Sequence, residues 1–385
     1  MNPSSEGRFF YAKEEVSCTS LRYMLLDPTY HFKDIVEEAR AVVLAGGTMS
    51  PMSDYEQHLL SYLDPSKIMT LSCGHVIPPS NLLAAPIVRA ASGAEFDFTF
   101  ENRNKETTMI DLGNAILTFA QHIPDGVVVF FPSYLYMESI ISAWQGMEIL
   151  DTVWKYKLIL VETPDAQETA LALETFRTAC NNGRGAVLLC VARGKVSEGI
   201  DFDHHYGRTV LCMGIPYQYT ESRILKARLE FLRETYRIKE NDFLSFDAMR
   251  HAAQCLGRVI RGKDDYGIMV LADKRFNKKV TQLPKWIQQG LDQKSTKLSI
   301  DQAVGTAKSF LKQMSVPYTM EGHSAWSLED LQAHQKKKEA ASIAGTDNVA
   351  LRALEGRAEV ERDEEEDDEF GGAGLDAAMA GVDVA

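Results

Sequence analysis

Short, unbroken apolar runs alternate along this chain with longer segments in which apolar positions recur every three or four residues. AVVLAG (41–46), GVVVFF (126–131), GAVLLCV (185–191), TVLCMGI (209–215) and GIMVLA (267–272) are of strand length. They are continuous rather than alternating, which suits strands buried on both faces of a sheet. Between them SYLYMESIISAW, DAQETALALETFRTAC, TESRILKARLEFLRETY and SFDAMRHAAQCLGRVIR carry the helical period. Gly146 follows the first and Asn181-Asn182-Gly183 follows the second, and these residues stop helices. The alternation from about Val43 to Phe276 predicts an α/β fold with a mostly parallel sheet flanked by helices. Further helices are expected over Ile300–Met314 and near Leu328, and disorder from about Ala340, where Ala, Gly, Glu and Asp dominate.

At 385 residues and 45% hydrophobic content the chain can bury one large core or two modest ones. No stretch approaches the roughly 20 apolar residues that span a bilayer, and MNPSSEGRFF lacks the apolar core of a secretory signal, so a soluble intracellular chain with no membrane partner is expected. The six cysteines (Cys18, Cys73, Cys180, Cys190, Cys212, Cys255) are scattered, which indicates neither a disulfide framework nor a cysteine metal site. Cys73 and His75 of SCGH supply two ligands where a tetrahedral zinc site needs four. The net charge of -13 argues at first against a nucleic-acid surface. Much of the acid, however, sits between Glu361 and Glu369, while Arg223–Lys279 is rich in arginine and lysine. A phosphate backbone responds to local charge within a Debye length, so a basic groove remains compatible with the acidic tail.

Four strings could carry chemistry. GRVIRGKD (257–264) has phosphate-loop spacing, but Asp264 stands where Ser or Thr would hold magnesium, and the segment leads from a helix into a strand rather than the reverse. Neither a phosphate loop nor a DEAH-type magnesium box is present in these residues, so the chain unaided is expected to hydrolyse ATP poorly. In HAAQCLGRVIRG, Gln254, Arg258 and Arg261 recur at spacings of four and three on a predicted helix, which puts them on one face. Arginines so presented can bind phosphate bidentately as an arginine finger does, and a solvated basic face is the bland alternative. ARGKVSEGIDF (192–202) follows a strand directly, at the end where α/β ligand sites form. There Gly194 and Gly199 allow close backbone approach, Arg193 and Lys195 can meet phosphates, and Glu198 and Asp201 can orient ribose, water or an arginine; a plain turn is the alternative. In LAGGTMSP, Thr48 and Ser50 either couple two sites by hydrogen bonding or belong to a tight turn.

Taken in order, these strings resemble the later motifs of the XPD-like DNA helicases, the iron-sulfur branch of superfamily 2. GGTMSP is similar to motif III, GVVVFFPSYLYME to the motif IV region, VARGKVSEGIDF to motif V and QCLGRVIRG to motif VI. Residues from about 125 to 335 resemble the XPD branch, with HHYGR, GIPYQYTESRILKARLEFLRE and ADKRF among the matching strings. Residues from about 7 to 125, with LRYMLLDPTYHF, AVVLAGGTMSPMSDYEQHLL and SCGHVIPPSNLL, resemble the Chl-type relative linked to cohesion. The resemblance implies a RecA-like second motor domain over 76–335, a remnant of the first motor with motif III over 1–75, and a disordered acidic tail over 336–385. It implies that Arg258 and Arg261 contact the γ-phosphate, that Gln254 senses it, and that Glu198, Gly199, Asp201 and Gly257 line the ATP interface. It further implies contacts of Ser133, Tyr134, Arg193 and Lys195 with single-stranded or forked DNA, and coupling by Thr48 and Ser50. Its other implications are ATP and Mg2+ shared with a first motor, a family iron-sulfur cluster without ligands in these residues, a regulatory subunit of TFIIH as partner, and a nuclear location. The function implied is the second motor of a 5'-to-3' ATP-dependent DNA helicase; a non-catalytic DNA- or protein-binding scaffold is the rival.

Overall fold

The computed structural model describes residues 7–13, 19–49, 52, 55–75, 77–262, 265–291, 297–315, 332–333 and 336. The expected helix near Leu328, Ser50 and the acidic stretch beyond 336 lie outside them.

At the front, β1 (Gly7–Lys13) and β2 (Thr19–Leu25) form an antiparallel pair, followed by α1 (Thr29–Glu38). The main sheet then begins with β3 (Leu82–Arg89), α2 (Glu106–His122), β4 (Gly126–Phe131), α3 (Tyr134–Gly146) and α4 (Ile149–Trp154). It continues with β5 (Leu158–Val161), α5 (Ala166–Asn181), β6 (Ala186–Val191), α6 (Lys195–Gly199) and β7 (Thr209–Met213). Next come α7 (Arg223–Tyr236), α8 (Glu240–Leu256), β8 (Gly267–Ala272), α9 (Lys285–Gln289), β9 (Leu298–Ser299) and α10 (Ile300–Met314).

Seven strands pair in the order β5-β6-β4-β7-β8-β3-β9, all parallel. The four unbroken apolar runs after residue 125 are its middle, and every residue of β4, β6, β7 and β8 is buried. Alternate side chains of one strand serve two cores. Val127, Val129 and Phe131 pack with α2, α3 and α10, while Val128 and Phe130 pack with α5 and α8. A sheet covered by helices on both faces has no polar positions to offer, so its strands read as continuous hydrophobic runs. Gly126 opens β4 where a Cβ would run into the Tyr206 carbonyl, so the close approach of these two backbones requires glycine.

Three expectations need correction. AVVLAG is no strand: residues 41–46 are irregular, with Val43 86% exposed. An apolar run becomes a strand only where a neighbour completes its hydrogen bonds, and no described strand lies beside it. LeuLeuAlaAlaProIleValArg (82–89) and LeuIleLeuVal (158–161) are strands that the periodicity did not single out, the first because Pro86 breaks its appearance and the second because it is only four residues long. The helix expected over 245–261 runs instead over Glu240–Leu256, starting on an acidic first turn and ending at Gly257. Beyond Gly257 the chain leaves the helix so that Val259 and Ile260, 0% and 4% exposed, can bury against the sheet.

The front segment is anchored on α7 and α8. The Tyr236 hydroxyl donates to Asp27 Oδ2 at 2.6 Å, the rings of His58 and Tyr236 meet edge-on at 4.7 Å, and the Arg250 guanidinium lies over Tyr55. Several of its apolar residues face outward, with Met69 92% and Leu71 78% exposed besides Val43. Apolar side chains beside unpaired backbone promote strand addition between molecules. The chain by itself is therefore expected to self-associate, and Val43→Lys with Leu71→Lys is expected to raise the monomer fraction on size exclusion. Monodisperse elution of the unaltered chain at high concentration would contradict this.

Candidate functional site

Because the sheet is parallel, the loops after β4, β5, β6 and β7 open at one edge, as is usual for α/β sites. Ser133 follows β4 and caps α3, its Oγ accepting from the Tyr136 amide at 3.3 Å. Tyr134 donates its hydroxyl proton to Glu162 Oε1 at 2.9 Å, Glu162 being the residue immediately after β5. Burial, reinforced by the negative charge of Glu162, pushes the Tyr134 pKa up. Arg193 follows β6 and is half-buried; it donates to the Pro216 carbonyl at 2.9 Å and pairs with Asp247 at 2.5 Å. Lys195 is exposed and reaches the Pro164 carbonyl at 2.8 Å. The four residues expected to meet DNA thus cluster at one edge of the sheet, each with an intramolecular partner.

Two residues beyond the end of α8, Arg258 turns back onto α6. Its Nε donates to the Ser197 carbonyl at 2.7 Å, one terminal nitrogen to the Glu198 carbonyl at 2.7 Å and the other to Asp201 Oδ1 at 2.9 Å. These are carbonyls that a helix end leaves without intrahelical partners, and a cation there is favoured by the helix dipole. Arg261 pairs with the same Asp201 oxygen. Burial alone would raise the Asp201 pKa, but the hydrogen bonds from Arg261 and Arg258 outweigh it and hold the carboxyl below its ordinary value. The two arginines therefore converge, though not as expected. They lie on the loop after α8 rather than on one helical face with Gln254, which is half-buried on α8 itself.

Asp265 builds that loop. Its buried carboxylate accepts from the backbone N–H groups of Arg261 at 2.9 Å and Gly262 at 2.5 Å, and from the His204 amide at 3.2 Å. In a phosphate loop such amides would face an anion; here the chain's own carboxylate occupies them. The Phe202 amide donates to the Arg258 carbonyl at 3.0 Å, fastening the segment after α6 to the arginine loop. Glu198 and Gly199 are exposed on α6, and Gly257 caps α8 with its amide on the Ala253 carbonyl.

His75 packs against Trp286 with ring centroids 5.0 Å apart and the planes tilted by 39°, and burial, then the positive charge of Arg261, holds its pKa below the ordinary value. Thr48 lies in a turn of the front segment, and among the described residues no hydrogen bond or ion pair joins it to the arginine cluster. Among the described residues no group of three or more His, Cys, Asp or Glu could hold a metal ion, and no helix is long and apolar enough to cross a membrane. Cys190, Cys212 and Cys255 are sealed in the core, where burial raises their pKa, that of Cys212 to about 12, so these thiols do not fit an iron-sulfur cluster.

Glu162, Asp247 and Asp265 were not singled out from the sequence. The available signal for Glu162 was an acidic residue directly after the short run LILV, and for Asp265 its place two residues before a buried strand.

Residues 116–290 match the family model of the helicase C-terminal domain. The XPD helicase subunits of general transcription and DNA repair factor IIH are 56% identical in Schizosaccharomyces pombe, over 322 residues and 82% of this chain, and 57% identical in Saccharomyces cerevisiae, over 323 residues and 83% of it. The ATP-dependent DNA helicase chl1 of Neosartorya fischeri is 44% identical over 322 residues, 77% of this chain. The chain spans about two fifths of the length of these relatives, 41% of each XPD subunit and 37% of chl1. Two solved structures, an XPD helicase and an apo XPD, share the fold, each with a TM-score of 0.52 at 19% identity over 72% of this chain and over 46% and 52% of theirs. By these matches the chain is homologous to the carboxyl-terminal region of the XPD and chl1 helicases, and residues 116–290 belong to the helicase C-terminal domain family.

Proposed function

We propose that this chain supplies the second motor of an ATP-dependent 5'-to-3' DNA helicase, with residues 76–335 as that motor, 1–75 as part of the first and 336–385 as an acidic tail. The observation that supports it most is the convergence of Arg258 and Arg261 on Asp201. Arg258 is braced by two carbonyls of α6, and the half-exposed Arg261 has a lone carboxylate oxygen as its anion. A γ-phosphate brought up by a first motor offers more negative charge than that carboxylate, and a planar guanidinium can exchange one oxyanion for the other. In this reading Gln254 senses the phosphate, and Glu198, Gly199, Asp201 and Gly257 line the interface.

At the carboxyl edge of the sheet, Tyr134 offers a stacking face, and Ser133, Arg193 and Lys195 offer donors to a phosphate backbone, which is how single strands are held without sequence readout. Thr48 and Ser50 would transmit between the two sites. Magnesium, and the cluster of the iron-sulfur branch, would be held by the first motor's part of the protein rather than by residues described here. A nuclear location, a role in repair, transcription or cohesion, and a TFIIH-type regulatory subunit as partner complete the proposal.

The test joins this chain to a first motor that carries a phosphate loop and measures ATP turnover with and without oligo-dT. DNA-stimulated turnover by the pair, with background turnover by this chain alone, is expected. A pair that binds oligo-dT yet never exceeds background would favour the scaffold reading instead.

A further inference from the structure

Glu162 places a carboxyl group in the core, 1% exposed, and no expectation about the site accounts for it. A carboxylate so buried is tolerated only when donors surround it. Three do. Oε1 accepts from the Tyr134 hydroxyl at 2.9 Å and from the Val196 amide at 3.1 Å, while Oε2 accepts from the Val191 amide at 2.8 Å. Its own amide donates to the Leu189 carbonyl at 2.8 Å, which continues the pairing of β5 with β6 by one residue and leaves the side chain little freedom. The loop 192–195 wraps this carboxylate so closely that a Cβ on Gly194 would overlap it.

What these bonds join is more informative than their number. Val196 lies in the first turn of α6, a helix of five residues and therefore only about 7 Å long. The other end of α6 presents the Ser197 and Glu198 carbonyls to Arg258. Tyr134 opens α3 at the carboxyl edge of the sheet. Glu162 thus holds one end of a short rigid strut whose other end holds the arginine, and the same carboxylate holds the tyrosine. Lys195, in the same turn of α6, is tied to the Pro164 carbonyl just beyond Glu162, so the segment 162–164 grips α6 at two points.

We propose that Glu162 is a positioning residue that ties Tyr134 and α6 into one frame, so that a nucleic-acid strand resting on Tyr134 and the guanidinium of Arg258 are mechanically coupled through it. The coupling rests on the function proposed above, while the frame itself does not. Displacement of Tyr134 by a bound strand would pull on the carboxylate, shift α6, and move the carbonyls on which Arg258 rests; displacement of Arg258 by a phosphate would act in reverse. Neither Glu162 nor Tyr134 changes covalently in this scheme.

The experiment uses the full chain and follows amide hydrogen exchange by mass spectrometry in segments 133–137 and 191–199, with α2 as a control, alongside fluorescence-anisotropy titration of labelled oligo-dT. Glu162→Gln keeps the size but replaces one acceptor oxygen by a donor, so at least one hydrogen bond is lost. Exchange in both segments is expected to quicken by about tenfold while α2 stays unchanged. Should Glu162→Gln not fold, Tyr134→Phe removes a single bond and is still expected to quicken exchange in 191–199. Exchange that changes in only one segment, or in neither, would overturn the frame. For oligo-dT, Glu162→Gln and Tyr134→Phe are each expected to weaken binding, and the double variant no more than the stronger single one; losses that multiply would overturn the coupling. If the unaltered chain does not bind oligo-dT at all, the DNA-binding reading fails and the coupling with it, while the exchange data still decide the frame.

Discussion

Arg258→Ala is expected to lower the ATP turnover of the two-motor assembly by about 10³-fold, the lower end of what an arginine at a γ-phosphate contributes. The expectation follows from how the guanidinium is held. Arg258 is 15% exposed and makes three charge-assisted bonds, two to α6 carbonyls and one to Asp201, so it is fixed before any nucleotide arrives. Arg258→Lys should restore little, because one ammonium cannot reproduce a planar fork that spans two carbonyls and a carboxylate. Arg261 differs: 46% of its side chain is exposed and its anion is the shared Asp201 oxygen. Arg261→Ala should therefore also reduce turnover while leaving the thermal midpoint unchanged. Arg258→Ala should lower the midpoint as well, since it leaves the Ser197 and Glu198 carbonyls without their donor, at a cost of about 1–3 kcal/mol. Steady-state turnover with oligo-dT and a melting curve on the same samples separate the two residues. Full turnover in Arg258→Ala would remove this arginine from the nucleotide site.

Trp144→Ala should be the most damaging change in the core, at about 3–5 kcal/mol. Trp144 is 1% exposed on α3 and meets Phe131 of β4 edge-on at 6.3 Å. Its indole N–H donates to the Met109 carbonyl at 2.8 Å, joining α3 to α2. Alanine would remove the largest fully buried side chain among the described residues and the hydrogen bond between the two helices at once. Trp144→Phe keeps most of the apolar volume and loses the hydrogen bond, so a smaller loss, about 1–2 kcal/mol, is expected. Urea titration of the three proteins provides the check, and equal midpoints for Trp144→Phe and Trp144→Ala would show that volume contributes nothing here.

The sheet was legible in the sequence because burial on both faces leaves strands no polar alternation: GVVVFF, GAVLLCV, TVLCMGI and GIMVLA all became strands. α10 matches its expected bounds, Ile300–Met314, because Ser299 and Gln302 form a capping box that marks its start. The site was legible only as strings. VARGKVSEGIDF and QCLGRVIRG singled out Arg258, Arg261 and Asp201 as candidates, but the helical period placed the arginines on a helix face that ends at Gly257. The period persists beyond the helix because Val259 and Ile260 are apolar for another reason, their burial against the sheet.

What the sequence by itself determined is therefore local: which runs are buried on both faces, where capping residues start helices, and which charged strings follow strands. The tertiary structure alone decided which of those features meet. AVVLAG has the composition of a strand but no described neighbour to pair with, so its backbone stays irregular and Val43 exposed. Glu162 reads as a polar residue after a four-residue run, yet strands β4, β5 and β6, 28 to 34 residues apart in sequence at the points of contact, bring three donors around it. Asp201 receives two arginines from 57 and 60 residues away for the same reason. Hydrophobic period is a property of neighbours along the chain, whereas a site is a property of neighbours across the sheet, and strand order sets the second without leaving a mark on the first.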